Sequence, residues 1–145
     1  MPLKVEIITP ESIAYASGDD NPVEEVVLPG VNGELGILEG HLPMMTTLRS
    51  GRVIVRHSGG EPTLFAIHGG FAQIMPNEVN ILTDEAESAD KIDADRARAA
   101  LEAAEKKLQE EMNRDHVEDD AADLHRAALE RARARLFVAE EDKKG

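Results

Sequence analysis

The spacing of the apolar residues changes near residue 86, and this change restricts the fold more than any other feature of the chain. Before residue 86, apolar and polar residues alternate in short stretches such as 3–7 and 79–81. A period of two is typical of a β-strand with one buried face. After residue 86, glycine and proline are absent until Gly145, and alanine, glutamate, lysine and arginine predominate. Because these four residue types favour helices, we expect strands first and helices second.

Turn-forming residues separate the expected strands of the first part. The segment SGGE at 58–61 lies between RVIVRH and TLFAIH, and MPNE at 75–78 lies between GFAQI and VNILTD. Each pattern predicts a hairpin. The pair Gly69-Gly70 predicts a bend or bulge within a strand. Short strands with frequent glycine and proline predict an all-β domain over residues 1–86, built as a sandwich or a flattened barrel.

Residues 87–145 carry apolar residues at helical spacing and predict an antiparallel helical hairpin. Asp90 or Asp93 is suited to cap the first helix. The segment NRDHVEDD at 113–120 breaks the pattern, and we interpret its VEDD end, 117–120, as a solvated loop. A short connection between two helices favours an antiparallel arrangement. The expected buried stripes are Ala97, Leu101, Ala104, Leu108 and Met112 on the first helix, and His125, Leu129, Ala132 and Leu136 on the second.

The two helical stripes contain much alanine and few large residues. Burying one methylene group contributes only about 0.8 kcal/mol. Such a stripe has little free energy to spare over the entropy cost of ordering the helices. Because weakly held elements open locally, the sequence predicts a rigid β-domain that carries a mobile helical arm.

Composition excludes several classes of protein. The formal charge of -13 and the pI of about 4.7 argue against binding to nucleic acid or to an anionic membrane. The absence of cysteine excludes disulfides and thiolate zinc sites. No signal peptide is evident, and no apolar run approaches the roughly 18 residues of a membrane span. We therefore expect a soluble cytoplasmic protein that reaches a membrane only indirectly, through a complex.

The sequence shows no catalytic or metal-binding motif. Its five histidines do not have the spacing of paired metal ligands. There is no nucleophile elbow, and Gly69-Gly70 lacks the rest of a phosphate-binding loop. We therefore predict no catalytic residue and no metal site. Two other classes stay open from the residues alone: a small acidic enzyme, and a free-standing regulator whose helical hairpin enters a channel.

Four stretches resemble the epsilon subunit of bacterial F-type ATP synthase, and together with the order of parts they extend the resemblance over essentially the whole chain. They are IITPE at 7–11, LPGVNGELGILEGHLPMMTTLRSGRVIV at 28–55, IHGGFAQIMPNEVNILTDEAE at 67–87 and IDADRARAA at 92–100. The glycine-rich block within 28–55 is the most specific of the four.

This resemblance implies a non-catalytic subunit of the rotor, or central stalk, that couples proton transport to ATP synthesis. It implies that domain 1–86 contacts the gamma subunit and the loops of the c-ring. Domain 87–145 would fold against the sandwich or extend along gamma into the catalytic alpha/beta head, where it inhibits ATP hydrolysis. The implied location is the cytoplasmic face of the bacterial inner membrane, as a peripheral part of the ATP synthase. No cofactor is required.

The block GELGILEGHLPM at 33–44 is implied by the resemblance to be a contact surface for other subunits. Glu34 is expected in a loop facing the c-ring, His41 is expected near gamma, and Leu42 is expected to be a further subunit contact. The alternative from the residues alone is that three apolar side chains fill the core and that His41 bonds local backbone groups. These three apolar residues are Leu35, Ile37 and Leu38.

The stretch IDADRA at 92–97 matches an I/L-D-x-x-R-A motif that binds ATP in some epsilon subunits and holds the arm down. Ala103 occupies a position where nucleotide-binding relatives tend to carry a further arginine, which predicts weaker binding. The alternative is structural: Asp93 caps a helix, Arg96 makes an exposed ion pair, and the late arginines complement the helix dipole. The resemblance implies ATP as a regulatory ligand of Glu87, Asp93, Arg96, Ala97, Arg131 and Arg135.

Overall fold

The computed structural model describes residues 3–114 and 119–144, and it confirms that strands come first and helices second. The segment expected to separate the helices therefore lies partly outside the described residues. The strands are β1 (Lys4–Ile8), β2 (Ile13–Ala16), β3 (Val23–Gly30), β4 (Gly33–Leu38), β5 (Met44–His57), β6 (Thr63–Met75), β7 (Glu78–Leu82) and β8 (Ala86–Ser88). A 3-10 turn (Ala89–Lys91) leads into the helices α1 (Ala94–Met112) and α2 (Asp119–Lys144).

The strands form a β-sandwich in the order β2-β1-β7-β6-β5-β3-β4, with β8 added beside β6. The strands β5 and β6 pair antiparallel across the predicted turn at 58–61, and β6 and β7 pair antiparallel across 76–77. Both predicted hairpins are therefore confirmed. The pairing of β1 with β7 is parallel and joins residues more than seventy positions apart along the chain.

The pair Gly69-Gly70 lies where β6 changes its second neighbour. On one side of the pair β6 bonds β8, and on the other side it bonds β7. Both glycines have positive φ, 85° and 125°. A Cβ atom on Gly70 would clash with the carbonyl oxygen of Leu82. The predicted irregularity in β6 therefore requires glycine, because the backbone of β7 approaches so closely.

Alternating residues of the strands fill the sandwich core. Of the three apolar residues in the glycine-rich block, Ile37 is fully buried and Leu35 packs against the core, but Leu38 is 57% exposed. The core-filling interpretation is thus wrong for Leu38, because neighbouring residues of a strand point to opposite faces. The fully buried positions include Val5, Ile7, Val26, Leu28, Ile37, Val53, Val55, Ile67, Ile74, Val79 and Ile81.

The helices form the predicted antiparallel hairpin. Asp93, not Asp90, caps α1: its Oδ1 accepts hydrogen bonds from the backbone N–H groups of Asp95 and Arg96 at 3.1 and 3.2 Å. Near the start of α1, Arg98 pairs with Glu140 near the end of α2 at 3.2 Å. Neither helix combines the length and the apolar character that a membrane span requires.

The buried face of α1 differs from the predicted stripe at its end. Ala97 and Ala104 are buried as expected, but Met112 is 50% exposed and Glu111 is buried in its place. Residues 97, 104 and 111 are seven apart, or almost two turns, so they lie nearly in line along the helix. Met112 lies at the edge of that face, and the prediction for it was wrong.

The helical arm attaches to the sandwich through α2, while α1 packs mainly on α2. Ile54 of β5 and two residues of β6, Leu64 and Ala66, face Ala134 and Val138 of α2. This small cluster, which also includes Ala89, is separate from the core inside the sandwich. The described residues therefore form two apolar cores, and the smaller of these joins the arm to the sandwich.

Candidate functional site

A cavity of about 380 Å³ lies where β8, the 3-10 turn, the start of α1 and the middle of α2 meet. It brings together five of the six residues predicted to bind nucleotide. Arg131 is not among the lining residues; it lies one turn before Arg135 on α2 and is exposed. The lining consists of Glu87, Lys91, Ile92, Asp93, Arg96, Ala97, Ala100 and Arg135.

Three cationic side chains line this cavity, from three different elements. Arg96 belongs to the first turn of α1, Arg135 to α2, and Lys91 to the 3-10 turn that precedes the motif. Motif matching missed Lys91 because it stands one residue before IDADRA. The signal that could have found it is the short distance along the chain between Glu87 and Asp93, which forces the intervening residues to turn tightly beside both.

The side chain of Glu87 is the centre of a hydrogen-bond network. Its Oε1 accepts from Nε of Arg135 at 2.6 Å and from Nε2 of His68 at 2.9 Å. Nη2 of Arg135 also lies 3.5 Å from Oε1 of Glu85. Burial raises the pKa of Glu87, but the hydrogen bonds from Arg135 and His68 outweigh it, so the pKa lies below its ordinary value.

The imidazole of His68 is buried beneath this network, with none of its side chain exposed. Burial lowers the pKa of His68; the hydrogen bond to Glu87 opposes this effect and the charge of Arg135 adds to it. The ring is therefore neutral at pH 7. Because Nε2 faces a carboxylate it carries the proton, and the buried Nδ1 has no hydrogen-bond partner among the described residues.

The residues His68, Glu85 and Glu87 offer possible metal-ligand atoms that lie within 4.8 Å of one another. The guanidinium of Arg135 already pairs with both carboxylates. The carboxylates are thus paired with a cation of the protein itself, and the arrangement is an ion-pair network. The sequence could not reveal this cluster, because it forms only when β6, β8 and α2 converge.

The structural interpretation of the IDADRA motif is confirmed in part. Asp93 caps α1 through one carboxylate oxygen, as that interpretation required. The exposed ion pairs of this region, however, are made by Arg98, with Asp95 and with Glu140. Arg96 instead lines the cavity.

Glu34 lies in β4 and not in a loop, which corrects the prediction for its placement. The preceding turn is so short that Gly30 already pairs with Gly33, and Pro29 with Glu34. The carboxylate of Glu34 makes two hydrogen bonds with Arg52, at 2.7 and 2.9 Å. The bond from Arg52 is the main reason that the pKa of Glu34 lies below its ordinary value.

Arg52 also contacts the helical arm. Its guanidinium carbon lies 4.4 Å from the centre of the Phe137 ring on α2, a cation–π contact. Arg52 thus joins Glu34, the predicted c-ring contact, to the arm.

His41 and Leu42 lie in the segment between β4 and β5. Nδ1 of His41 lies 2.7 Å from the backbone oxygen of Leu42, so the interpretation that His41 bonds local backbone groups is confirmed. The side chain of Leu42 is 80% exposed, which leaves it available to a partner.

An apolar row crosses the outer face of the sandwich. The strand register places Ile13 beside Ile8, Ile8 beside Leu82, and Leu82 beside Phe71. Three of these four side chains are 46–61% exposed, and a cavity of about 480 Å³ lies against the row. Exposed apolar surface of this kind suits contact with another protein. The sequence carried a signal for it, since large apolar residues occupy both faces of these strands.

Comparison with known proteins identifies the family. The family described as "ATP synthase, Delta/Epsilon chain, beta-sandwich domain" matches residues 2–89. The chain is 40% identical over 139 residues to the ATP synthase epsilon chain of Trichodesmium erythraeum (strain IMS101), with 96% of each chain covered. It is 41% identical over 139 residues to that of Bacillus pumilus (strain SAFR-032), with 94% of this chain and 96% of the relative covered.

Two solved structures share the fold. A chain in the cryo-EM structure of the Euglena gracilis mitochondrial ATP synthase, OSCP/F1/c-ring in rotational state 1, superimposes with a TM-score of 0.75 at 24% identity, over 99% of this chain and 82% of that one. A chain in the Tetrahymena thermophila mitochondrial ATP synthase central stalk and c-ring gives a TM-score of 0.60 at 14% identity, over 96% and 97%. The matching β-sandwich domain, the near-complete alignments and the shared fold establish that this chain belongs to the ATP synthase epsilon chain family.

Proposed function

We propose that the chain is a non-catalytic rotor subunit of a bacterial F-type ATP synthase, bound at the cytoplasmic face of the inner membrane. In this proposal the sandwich contacts the gamma subunit and the c-ring loops and helps to couple proton transport to ATP synthesis. The helical arm leaves the sandwich, extends toward the catalytic alpha/beta head and inhibits ATP hydrolysis. Membership of the epsilon chain family favours this function over an enzyme or a channel-entering regulator.

The observation that carries the proposal is the small size of the apolar cluster between arm and sandwich. Three of the six residues in its apolar cluster are alanine. Each buried methylene contributes about 0.8 kcal/mol, and a partly exposed ion pair such as Arg135–Glu87 contributes about 0–1 kcal/mol. A partner that binds the released arm can supply free energy of this size. Binding of such a partner can therefore shift the equilibrium from the docked to the released position.

The surface of the sandwich supports its proposed contacts with other subunits. The apolar row of Ile13, Ile8, Leu82 and Phe71 offers a continuous face to a protein partner. The exposed side chain of Leu42 adds a second apolar contact point. Glu34 offers a carboxylate to a c-ring loop, although a cationic partner would compete with Arg52 for it.

Truncation of the whole arm tests the inhibitory role. The sandwich has its own core, so a chain that ends after Lys91 retains that core. We expect the complete ATP synthase assembled with this shortened subunit to hydrolyse ATP faster than the enzyme with the full chain. ATP hydrolysis by the two assemblies, measured at equal concentration, checks this. Equal rates would contradict the inhibitory role of the arm. The proposed function would then be limited to the part of the sandwich in coupling proton transport to ATP synthesis.

We further propose that the cavity beside α1 binds ATP and thereby holds the arm docked. Its three cations suit the negative charge of a triphosphate, and Lys91 offsets the missing arginine at Ala103. The cavity exists only while α2 lies against β8, because Arg135 forms one wall. A ligand present at a hundredfold excess over its Kd stabilises the state that binds it by about 2.7 kcal/mol. High ATP would therefore favour the docked arm and allow turnover.

Isothermal titration of the full chain with ATP tests this site. We expect binding in the millimolar range or tighter, weakened about tenfold or more by Arg96→Ala, because a charge-assisted hydrogen bond contributes about 1.5–3 kcal/mol. Lys106→Ala is the matched control, since Lys106 is an exposed cation of α1 outside the cavity. If no heat is released at millimolar ATP, or if both variants bind as the wild type does, the site is refuted.

A further inference from the structure

The network around Glu87 joins three elements through a single oxygen atom. Oε1 of Glu87 on β8 accepts one hydrogen bond from His68 on β6 and one from Arg135 on α2. His68 and Glu87 belong to the sandwich, whereas Arg135 belongs to the arm. A change in the charge of His68 therefore alters the strength of the ion pair between Glu87 and Arg135, which links the arm to the sandwich.

We propose that His68, Glu87 and Arg135 form a proton-sensitive latch, which keeps the arm docked while the imidazole is neutral and favours release of the arm when the imidazole is protonated. This inference rests on the proposed function, in which the arm can leave the sandwich.

The docked arm opposes protonation of His68. The charged groups that act on the ring are Arg135 from α2, Glu87 from β8 and Glu85 from the segment before it. The two carboxylates favour a charged ring, but burial and the charge of Arg135 oppose it, and burial is the largest effect. A second proton would also place an N–H at Nδ1, which faces no acceptor among the described residues.

Release of the arm reverses both opposing effects. The guanidinium of Arg135 leaves with α2, and water gains access to the surface that α2 covered. Glu85 and Glu87 stay beside His68, because the backbone of His68 bonds Glu85 and the neighbouring residues of β6 pair with β8. The imidazole in the released state is thus more exposed and faces two carboxylates without a competing cation. Its pKa is therefore higher when the arm is released than when it is docked.

The direction of the pH effect follows from linkage. A proton that binds the released state more tightly shifts the equilibrium toward that state. With respect to His68, the docking equilibrium is constant above the pKa that this residue has in the released state, and it shifts toward release as the pH falls toward the lower pKa of the docked state. Because one proton is involved, the docking equilibrium changes by at most about tenfold per pH unit. Glu87 stays ionised in this window because its pKa is lowered.

Distance measurements on the full chain test the latch. The chain has no cysteine, so Glu61→Cys on the β5–β6 turn and Lys106→Cys on α1, both exposed positions, allow specific spin labelling. We expect the population at long distance to be smallest at high pH and to rise as the pH falls through the range in which histidine titrates, around its ordinary pKa of about 6.5. The variant His68→Gln keeps an N–H that can bond Glu87 but cannot titrate, so its population should not change with pH.

His57→Gln is the matched control. His57 is as buried as His68, but among the described residues its hydrogen-bond partners are Asn21 and Thr63, which belong to the sandwich. This variant should keep the pH response of the wild type. A His68→Gln chain that responds to pH as the wild type does, or a wild type without any pH response, would overturn the latch.

Arg135→Ala separates the latch from the proposed function. If this variant shows a long-distance population while the wild type shows no pH response, the arm moves and the latch alone is refuted. If no variant and no pH produces a long-distance population, the mobile arm itself is refuted. Should His68→Gln fail to fold, NMR titration of His68 decides instead. The latch requires a higher pKa in Arg135→Ala than in the wild type, and equal values refute it.

Discussion

The two adjacent glycines of β6 show two separate reasons why a single position can require glycine. One is a positive φ, and the other is a lack of space for a Cβ atom. Gly69 has a φ of 85° but open space around its Cα, with the nearest atom 3.9 Å from a Cβ. Gly70 has a φ of 125° and also lacks room for a Cβ. Alanine at Gly69 would therefore introduce backbone strain only, whereas alanine at Gly70 would introduce strain and a collision with β7.

We predict that Gly69→Ala lowers the free energy of unfolding by about 1–2 kcal/mol, the cost of a left-handed backbone for a residue with a Cβ. Gly70→Ala should lower it by more than about 3 kcal/mol, because β7 must also move. Gly18→Ala is the control, since it has free space and no positive φ, and it should change stability by less than about 0.5 kcal/mol. Urea denaturation at pH 7 measures all three. Equal costs at 69 and 70 would contradict the predicted collision.

At the scale of elements, the sequence predicted those features of the strands and helices that depend only on neighbouring residues. The alternation of Val5 with Ile7 and of Val79 with Ile81 predicted strands with one buried face, and these residues are buried. The cap of α1 was narrowed to Asp90 or Asp93 because capping depends only on the next three residues, and the structure shows that Asp93 is the cap. Pairing of β1 with β7 was not predictable, since parallel partners far apart along the chain leave no local pattern.

The residues of the candidate site also differ in whether neighbouring sequence was enough to predict that they lie together. Asp93, Arg96 and Ala97 could be predicted together because they occupy one turn of one helix. The resemblance implied that Glu87 and Arg135 lie together, but the contact of His68 with Glu87 could not be predicted, because it depends on how β6 and β8 meet. The buried Glu111 and exposed Met112 show a related limit. The two are adjacent on α1, and helical spacing alone does not decide which of them is covered by the rest of the fold.

At the scale of the whole molecule, the part of the chain that the structure describes has two apolar cores of unequal size, and this division decides whether the arm can move independently of the sandwich. The larger core lies between the strands of the sandwich, and the smaller one lies between the sandwich and α2. Val138 belongs to the smaller core and Val79 to the larger, and both are fully buried. The same substitution at these two positions therefore compares the two cores with matched chemistry.

We predict that Val138→Ala weakens docking of the arm by about 1–2 kcal/mol, the value of two buried methyl-sized groups, and speeds amide hydrogen exchange in α1 and α2 about tenfold. Exchange in the sandwich should stay unchanged, because its core is intact without α2. Val79→Ala should instead speed exchange in the strands. Leu124→Ala, at a position that is 72% exposed, should change neither. If Val138→Ala accelerates exchange equally in strands and helices, the two cores unfold as one unit and the arm is not free to leave the sandwich.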